Sequence, residues 1–217
     1  MDRSATDTPD AYHIGWVPFY GAKIFLDSRP LIPRPETEWW VEKAVAAMHP
    51  GAHALDLFAG SGCCGIAVLT HVPDSSVDFG EIEARHFPTI TKSLAANGID
   101  LQRTRLIPTD VFSGITDQYD LILANPPYIA RDSTEVEQSV TDHEPHEALF
   151  AADAGFALIA ATLSGARQRL APGGQLWVEH DPGQSAALAH KAAEVGLVCT
   201  THHDQYGLAR YSVCVAY

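Results

Sequence analysis

From His53 onward the chain alternates short apolar runs with helix-like segments, and this alternation restricts the fold more than any other feature. "HALDLF" reads as a buried strand, "AGSG" as a turn and "CCGIAVLT" as a helix. "SSVDFGEI" and "EARHFPTITKSLAAN" repeat the unit, and "RTRLIPTD" and "YDLILAN" supply a third and a fourth strand. "AGFALIAATLSGARQRL" is helical, and "QLWVEH" follows a "PGG" turn as the fifth strand. "GQSAALAHKAAEV" is one more helix, and "LVCTTH" with "ARYSVCVA" closes the chain as two strands. Apolar strands separated by helices mean a parallel α/β sheet covered on both faces. Right-handed crossovers then bring the loops after the strands to one edge, where such sheets bind ligands.

The region before this alternation is different. Residues 1–11, beginning "MDRSATDTPD", are polar and aperiodic and are predicted to be disordered. Residues 12–35 mix aromatics with Gly, Asp and Pro, which predicts a small β-hairpin and a proline-stiffened segment. Residues 36–217 form the main domain, opening with the helix "ETEWWVEKAVAAM". One connection, Ile129 to Phe150, is polar, acidic and longer than a structural link requires, which marks it as functional.

A net charge of −13 argues against a long grip on nucleic acid, which depends on Lys and Arg at phosphates. The same charge favours a cationic ligand or a basic protein partner. The four cysteines show no CxxC and no zinc spacing, and adjacent Cys63 and Cys64 read as small buried fillers in a reducing compartment. Neither a signal peptide nor a membrane-length apolar run is present, so a cytoplasmic monomer is expected. Among eleven histidines, "DHEPHE" and "HHD" lack a third spaced partner, and no metal is expected.

Three strand ends carry chemistry. Gly60 and Gly62 follow the first strand, where glycine lets the backbone approach a ligand and turn into a helix N-terminus. Glu81 ends the second strand, with Asp78 three residues earlier, and an acid there can accept hydrogen bonds from a ribose diol. Asp110 ends the third, where a carboxylate can take an adenine amino group or close a turn. Glycine turn, acid and acid in this order are the layout of a nucleoside site, without the phosphate-binding G-x-x-x-x-G-K-[ST].

The fourth strand runs into "NPPY", Asn125 to Tyr128. Two prolines cannot extend a strand, and they stiffen the backbone that presents Asn125. The Asn125 side-chain carbonyl and the Pro126 main-chain carbonyl are adjacent acceptors, which suit an NH₂ group with two donors. An amide nitrogen is a poor nucleophile, and gripping both hydrogens aims its lone pair and stabilises the charge that develops. Tyr128 would wall the planar group.

This combination resembles the class I S-adenosylmethionine-dependent N-methyltransferases, and most closely the protein-(glutamine-N5) methyltransferase family that modifies release factors. "FYGAKIFL", "LIPRPETE", "LDLFAGSGC", "EPHEALFAADAGF" and "DQYGLARY" resemble that family's segments, and the resemblance runs from about Tyr12 to the end. It implies a Rossmann-like seven-stranded sheet with the last strand antiparallel and a small N-terminal hairpin. It implies S-adenosylmethionine contacts at Phe58, Ala59, Gly60, Ser61, Gly62, Glu81, Asp110, Val111 and Asn125. Glu81 rather than Asp78 is the ribose acid, by its spacing from Asn97. Asn125, Pro126, Pro127 and Tyr128 would hold the glutamine amide, with Asn125, Pro126 and Tyr128 catalytic. Arg34, Glu36 and Glu144 would order the substrate channel.

The implied substrate is the Gly-Gly-Gln loop of a peptide chain release factor. The residues leave open a glutamine of a ribosomal protein, an adenine-N6 nucleic-acid methyltransferase, and a non-catalytic S-adenosylmethionine-binding subunit. Phe58 departs from the small residue usual at its position, and Val111 stands where an aromatic can flank adenine. An N-terminal helical domain typical of the family is expected to be missing.

Overall fold

The computed structural model describes residues 8–133 and 138–217. Its first element, α1 (Asp10–Ile14), lies partly inside the span predicted to be disordered. The Tyr12 hydroxyl donates to Pro30 O at 2.7 Å and pins this helix, so the prediction fails at Asp10 and Ala11, and residues 1–7 lie outside the described residues. β1 (Trp16–Phe19) and β2 (Ala22–Phe25) form the expected hairpin. Side chains of α4 (Phe87–Ala96) and its C-cap, not a third strand, satisfy the free edge of β2: Asn97 Oδ1 accepts from Lys23 N at 2.9 Å, and Ser93 Oγ from Phe25 N at 3.0 Å.

α2 (Pro35–Ala46) starts with proline at its first turn, where the missing N–H is no loss, and with Glu36 and Glu38 favourably placed against the helix dipole. The sheet follows, built from β3 (His53–Leu57), β4 (Ser76–Glu81), β5 (Thr104–Pro108), β6 (Tyr119–Ala124), β9 (Leu170–Glu179), β10 (Leu197–His203) and β11 (Ala209–Ala216). Its order is β10-β11-β9-β6-β3-β4-β5, with β11 antiparallel to both neighbours. β9 begins at Leu170, earlier than the turn at "PGG" suggests, and passes that glycine pair with a register shift against β6. Two short strands, β7 (Ile129–Ala130) and β8 (Phe150–Ala151), pair beyond β6, and α5 (Gln138–His143) lies between them.

Alternate residues of the central strands feed two cores, as a two-residue period requires. Ala54, Leu121 and Leu123 pack with Trp40 of α2, Ile66 of α3 (Cys63–His71) and Ile90 of α4. Leu55, Ile122 and Ala124 face Ile159 and Leu163 of α6 (Ala157–Arg169) and Leu188 of α7 (Ser185–Glu194). Each of these side chains is almost fully buried, and burial of that kind stabilises by roughly 1.5–3 kcal/mol per large aliphatic residue. Cys63 and Cys64 are buried free thiols, whereas Cys199 and Cys214 face each other across β10 and β11 as a disulfide, a pairing their spacing did not disclose. No helix among the described residues is long and apolar enough to cross a membrane.

The strand order reverses between β3 and β6. The loops after these two strands diverge there and open a crevice at the carboxyl edge, the place where ligands bind such sheets.

Candidate active site

The chain leaves β3 through Phe58 at φ +61°, Gly60 at +50° and Gly62 at +77°, and α3 begins at Cys63. Left-handed backbone costs a residue with a side chain about 1–2 kcal/mol and glycine almost nothing. Phe58 bears that cost, which is the physical reason a small residue suits its position. A methyl group on Gly60 would meet nothing closer than 3.9 Å, so the backbone there is open to the cleft it lines.

Glu81, at the end of β4, is buried beside this turn. Its Oε2 accepts from Gly60 N at 2.7 Å and its Oε1 from Glu83 N at 2.8 Å. Each oxygen keeps a further lone pair, enough to accept two hydroxyl hydrogens. Asp56, also in the cleft wall, accepts from Gly65 N at 2.8 Å; burial pushes its carboxyl up to about 8 against that N–H, and Glu81 adds to the rise. A nucleoside with a vicinal diol and a cationic tail fits this set: an acceptor pair at Glu81, further acids at Glu83 and Glu147 in the wall, and an open backbone at Gly60.

Phe58, Ala59, Gly60, Ser61, Glu81 and Asn125 therefore meet in one cleft. Gly62 shapes its turn from behind, with Ile90 at 3.1 Å from where a methyl group would sit. Asp110 and Val111 lie beyond β5 and outside the cleft wall; Asp110 is exposed and its carbonyl closes a turn on Ser113 N at 2.9 Å. Asp78 has a structural role elsewhere. Burial would raise its carboxyl, but Arg105, His53 and Tyr119 outweigh that and hold it at about 2.

"NPPY" forms the partition between this cleft and a second cavity of about 850 Å³. Pro127 faces the cleft, Pro126 and Tyr128 face the cavity, and Asn125 borders both. Asn125 Nδ2 donates to Thr37 Oγ1 at 3.3 Å, Thr37 donates to Glu179 Oε2 at 2.7 Å, and Tyr128 donates to Glu179 Oε1 at 2.9 Å. Neither Asn125 Oδ1 nor Pro126 O takes a hydrogen bond among the described residues. Two acceptors thus remain on the rigid segment. Gln184 Nε2 holds its far end through Tyr128 O at 2.9 Å.

Glu179 ends β9 with 2% of its surface exposed, and Trp40 Nε1 donates to its Oε2 at 2.7 Å. Burial holds its carboxyl above the ordinary range despite donation from Trp40, Thr37 and Tyr128. Burial, then the Glu179 charge, pushes the Tyr128 phenol up as well. Thr37 and Glu179 escaped the sequence reading. Yet Glu179 ends its strand in an acid just as Glu81 does, and that signal could have found it.

Arg34 borders both chambers and pairs with buried Glu144 at 2.5 Å, whose Oε2 accepts from Ile32 N at 3.0 Å. Arg85 pairs with Glu147. These contacts tie the acidic connection after "NPPY" across the cleft. Glu36 borders neither chamber. Among the described residues no three His, Cys, Asp or Glu side chains converge as a metal site.

The profile of the methyltransferase small domain matches residues 41–203. The release factor glutamine methyltransferase of Lactococcus lactis is 33% identical over 96% of this chain and 77% of that protein. The protein of the same name from Bordetella pertussis is 33% identical over 97% of the chain and 78% of its own length. Among solved structures, a methyltransferase from Pyrococcus furiosus superposes with a TM-score of 0.66 at 16% identity, over 89% of this chain and 88% of that one. A ribosomal protein L11 methylase from Lactobacillus delbrueckii gives 0.64 at 16% identity, over 88% and 82%. These structures share the fold.

Proposed function

The chain belongs to the release factor glutamine methyltransferase family, and on that premise we propose that it methylates the side-chain amide nitrogen of a glutamine in a protein, the Gly-Gly-Gln loop of a peptide chain release factor. The cofactor is S-adenosylmethionine, which when bound supplies an electrophilic methyl group on sulfonium. Glu81 would accept from the ribose hydroxyls, with the Phe58–Gly62 turn against the nucleoside.

The observation that carries this reading is Asn125 on the border of the two chambers, with its Nδ2 engaged by Thr37 and its Oδ1 unengaged. Asn125 Oδ1 and Pro126 O accept the two amide hydrogens of glutamine, which orients the nitrogen lone pair toward the cleft and stabilises the positive charge that grows there. Tyr128, held by Glu179, walls the planar amide. The methylated amide is cationic and its surplus proton is acidic enough to pass to solvent, while Glu179 keeps its oxygens on Trp40, Thr37 and Tyr128.

Incubating the protein with a purified release factor and isotopically labelled S-adenosylmethionine, followed by peptide mass spectrometry, tests this. One labelled methyl on the Gly-Gly-Gln glutamine is expected. Label on adenine of naked DNA or RNA, with none on the factor, would replace this reading with the nucleic-acid one.

A further inference from the structure

We propose that Thr37 and Glu179 are positioning residues that set which way the Asn125 amide points, an inference that rests on the amide-methylating role given to Asn125 above. An asparagine amide can be turned over with little change in shape, exchanging its oxygen and nitrogen. Only one orientation offers an acceptor to the substrate. Something in the protein must choose it.

The choice follows from a chain of groups with fixed polarity. The Trp40 indole N–H can only donate, and it donates to Glu179 Oε2 at 2.7 Å. Oε2 is therefore an acceptor, and as long as it carries no proton the Thr37 hydroxyl, also 2.7 Å from it, spends its single hydrogen there. The Thr37 oxygen then has only lone pairs to offer Asn125. The amide responds with Nδ2, at 3.3 Å, which leaves Oδ1 turned away from Thr37 on a side chain that borders both chambers. Protonation of Glu179 on Oε1 leaves this polarity intact, because Oε2 still accepts. Burial strengthens the bias: Trp40 is fully buried, Thr37 and Glu179 are each 2% exposed, and water has little access to offer Thr37 or Glu179 another partner. Oε1 meanwhile fixes the Tyr128 ring, so one carboxylate anchors both ends of the segment that meets the substrate.

The test is a double-mutant cycle of Thr37→Val, which keeps the shape and removes the hydroxyl, with Asn125→Ala, read as single-turnover methylation of a release factor. Thr37→Val should slow the chemical step about tenfold, the equivalent of one ordinary hydrogen bond. Its cofactor affinity should stay within about threefold of wild type. Thr37→Ser, which restores the hydroxyl, should recover most of the rate. In the Asn125→Ala background Thr37→Val should cost less than about twofold, because nothing remains to orient. Equal losses in both backgrounds would overturn the proposal, as would a loss that appears only in cofactor affinity. Independently of activity, the Asn125 side-chain NH₂ resonances in ¹⁵N spectra should shift and exchange faster in Thr37→Val, and unchanged resonances would also overturn it. Absence of methylation by the wild type would count against the substrate reading alone, since the spectra test the relay regardless.

Discussion

Replacing Gly155 with alanine should damage catalysis from outside both chambers. Gly155 lies in the turn before α6 at φ +85°, and a methyl group there would stand 2.1 Å from the main-chain oxygen of Tyr128 and 2.7 Å from its carbonyl carbon. That carbonyl has little freedom to retreat, because Gln184 Nε2 holds it at 2.9 Å and Ile129 N is bound to Leu149 O at 3.0 Å. The left-handed backbone contributes about 1–2 kcal/mol of destabilisation, and overpacking adds roughly 1–3 kcal/mol. Together they should lower Tm by about 5–15 °C in a domain of this size. Relief of the contact must move the end of "NPPY" by about 1 Å, and a misplacement of that size costs on the order of 10²-fold in rate. The control is Gly173→Ala, at φ +82° with nothing within 4 Å, which shares the backbone cost without the collision. Thermal melts, cofactor titration and turnover on a release factor would be compared at a temperature where both variants are folded. Turnover of Gly155→Ala within about threefold of Gly173→Ala would refute the argument.

Glu81→Ala should weaken binding of S-adenosylmethionine by about 1–3 kcal/mol through loss of charge-assisted hydrogen bonds, and an unchanged dissociation constant by calorimetry would remove Glu81 from the site. Asn125→Ala should leave cofactor affinity within a few-fold yet slow turnover by about 10²-fold; the opposite split between binding and rate would contradict its assignment. The Asp56 carboxyl, pushed up to about 8 in the folded chain, binds a proton that the unfolded chain releases near its ordinary range. Its contribution to stability is therefore complete at low pH and is lost as pH rises toward 8. Asp56→Asn should melt above wild type by a margin that grows from about pH 5 to about pH 8, whereas parallel melting curves across that range would disprove the shift.

The sheet was legible because its signal is local and repeated. Each strand is a short apolar run such as "LILA", each helix keeps its own period, and β3 lies beside β6 as in other doubly wound sheets. "NPPY" was legible for a similar reason, since two prolines after a strand admit few conformations. What escaped depends on residues far apart. Thr37 and Glu179 are separated by 142 positions and carry no shared pattern, so only the packed fold reveals that they touch. Asp78 and Glu81 sit on one short strand and look alike as letters. The pleat gives them different surroundings, and Arg105 claims the first while the Gly60 amide claims the second. The reading of Asp110 took the strand to run on to that residue, whereas β5 stops at Pro108 and the carboxylate lies in solvent.

The border held by Asn125 also defines an inhibitor. Cleft and cavity share Asn125, Leu31, Arg34 and Ala148 between their walls. A compound with an adenosine at one end and a carboxamide at the other can occupy both chambers if its linker passes Asn125. Tethering turns the second contact into an intramolecular event at an effective concentration on the order of millimolar, so two weak fragments combine into one strong ligand. Selectivity over other S-adenosylmethionine enzymes would come from the carboxamide end, where the 850 Å³ cavity supplies contacts that an adenosine pocket alone cannot.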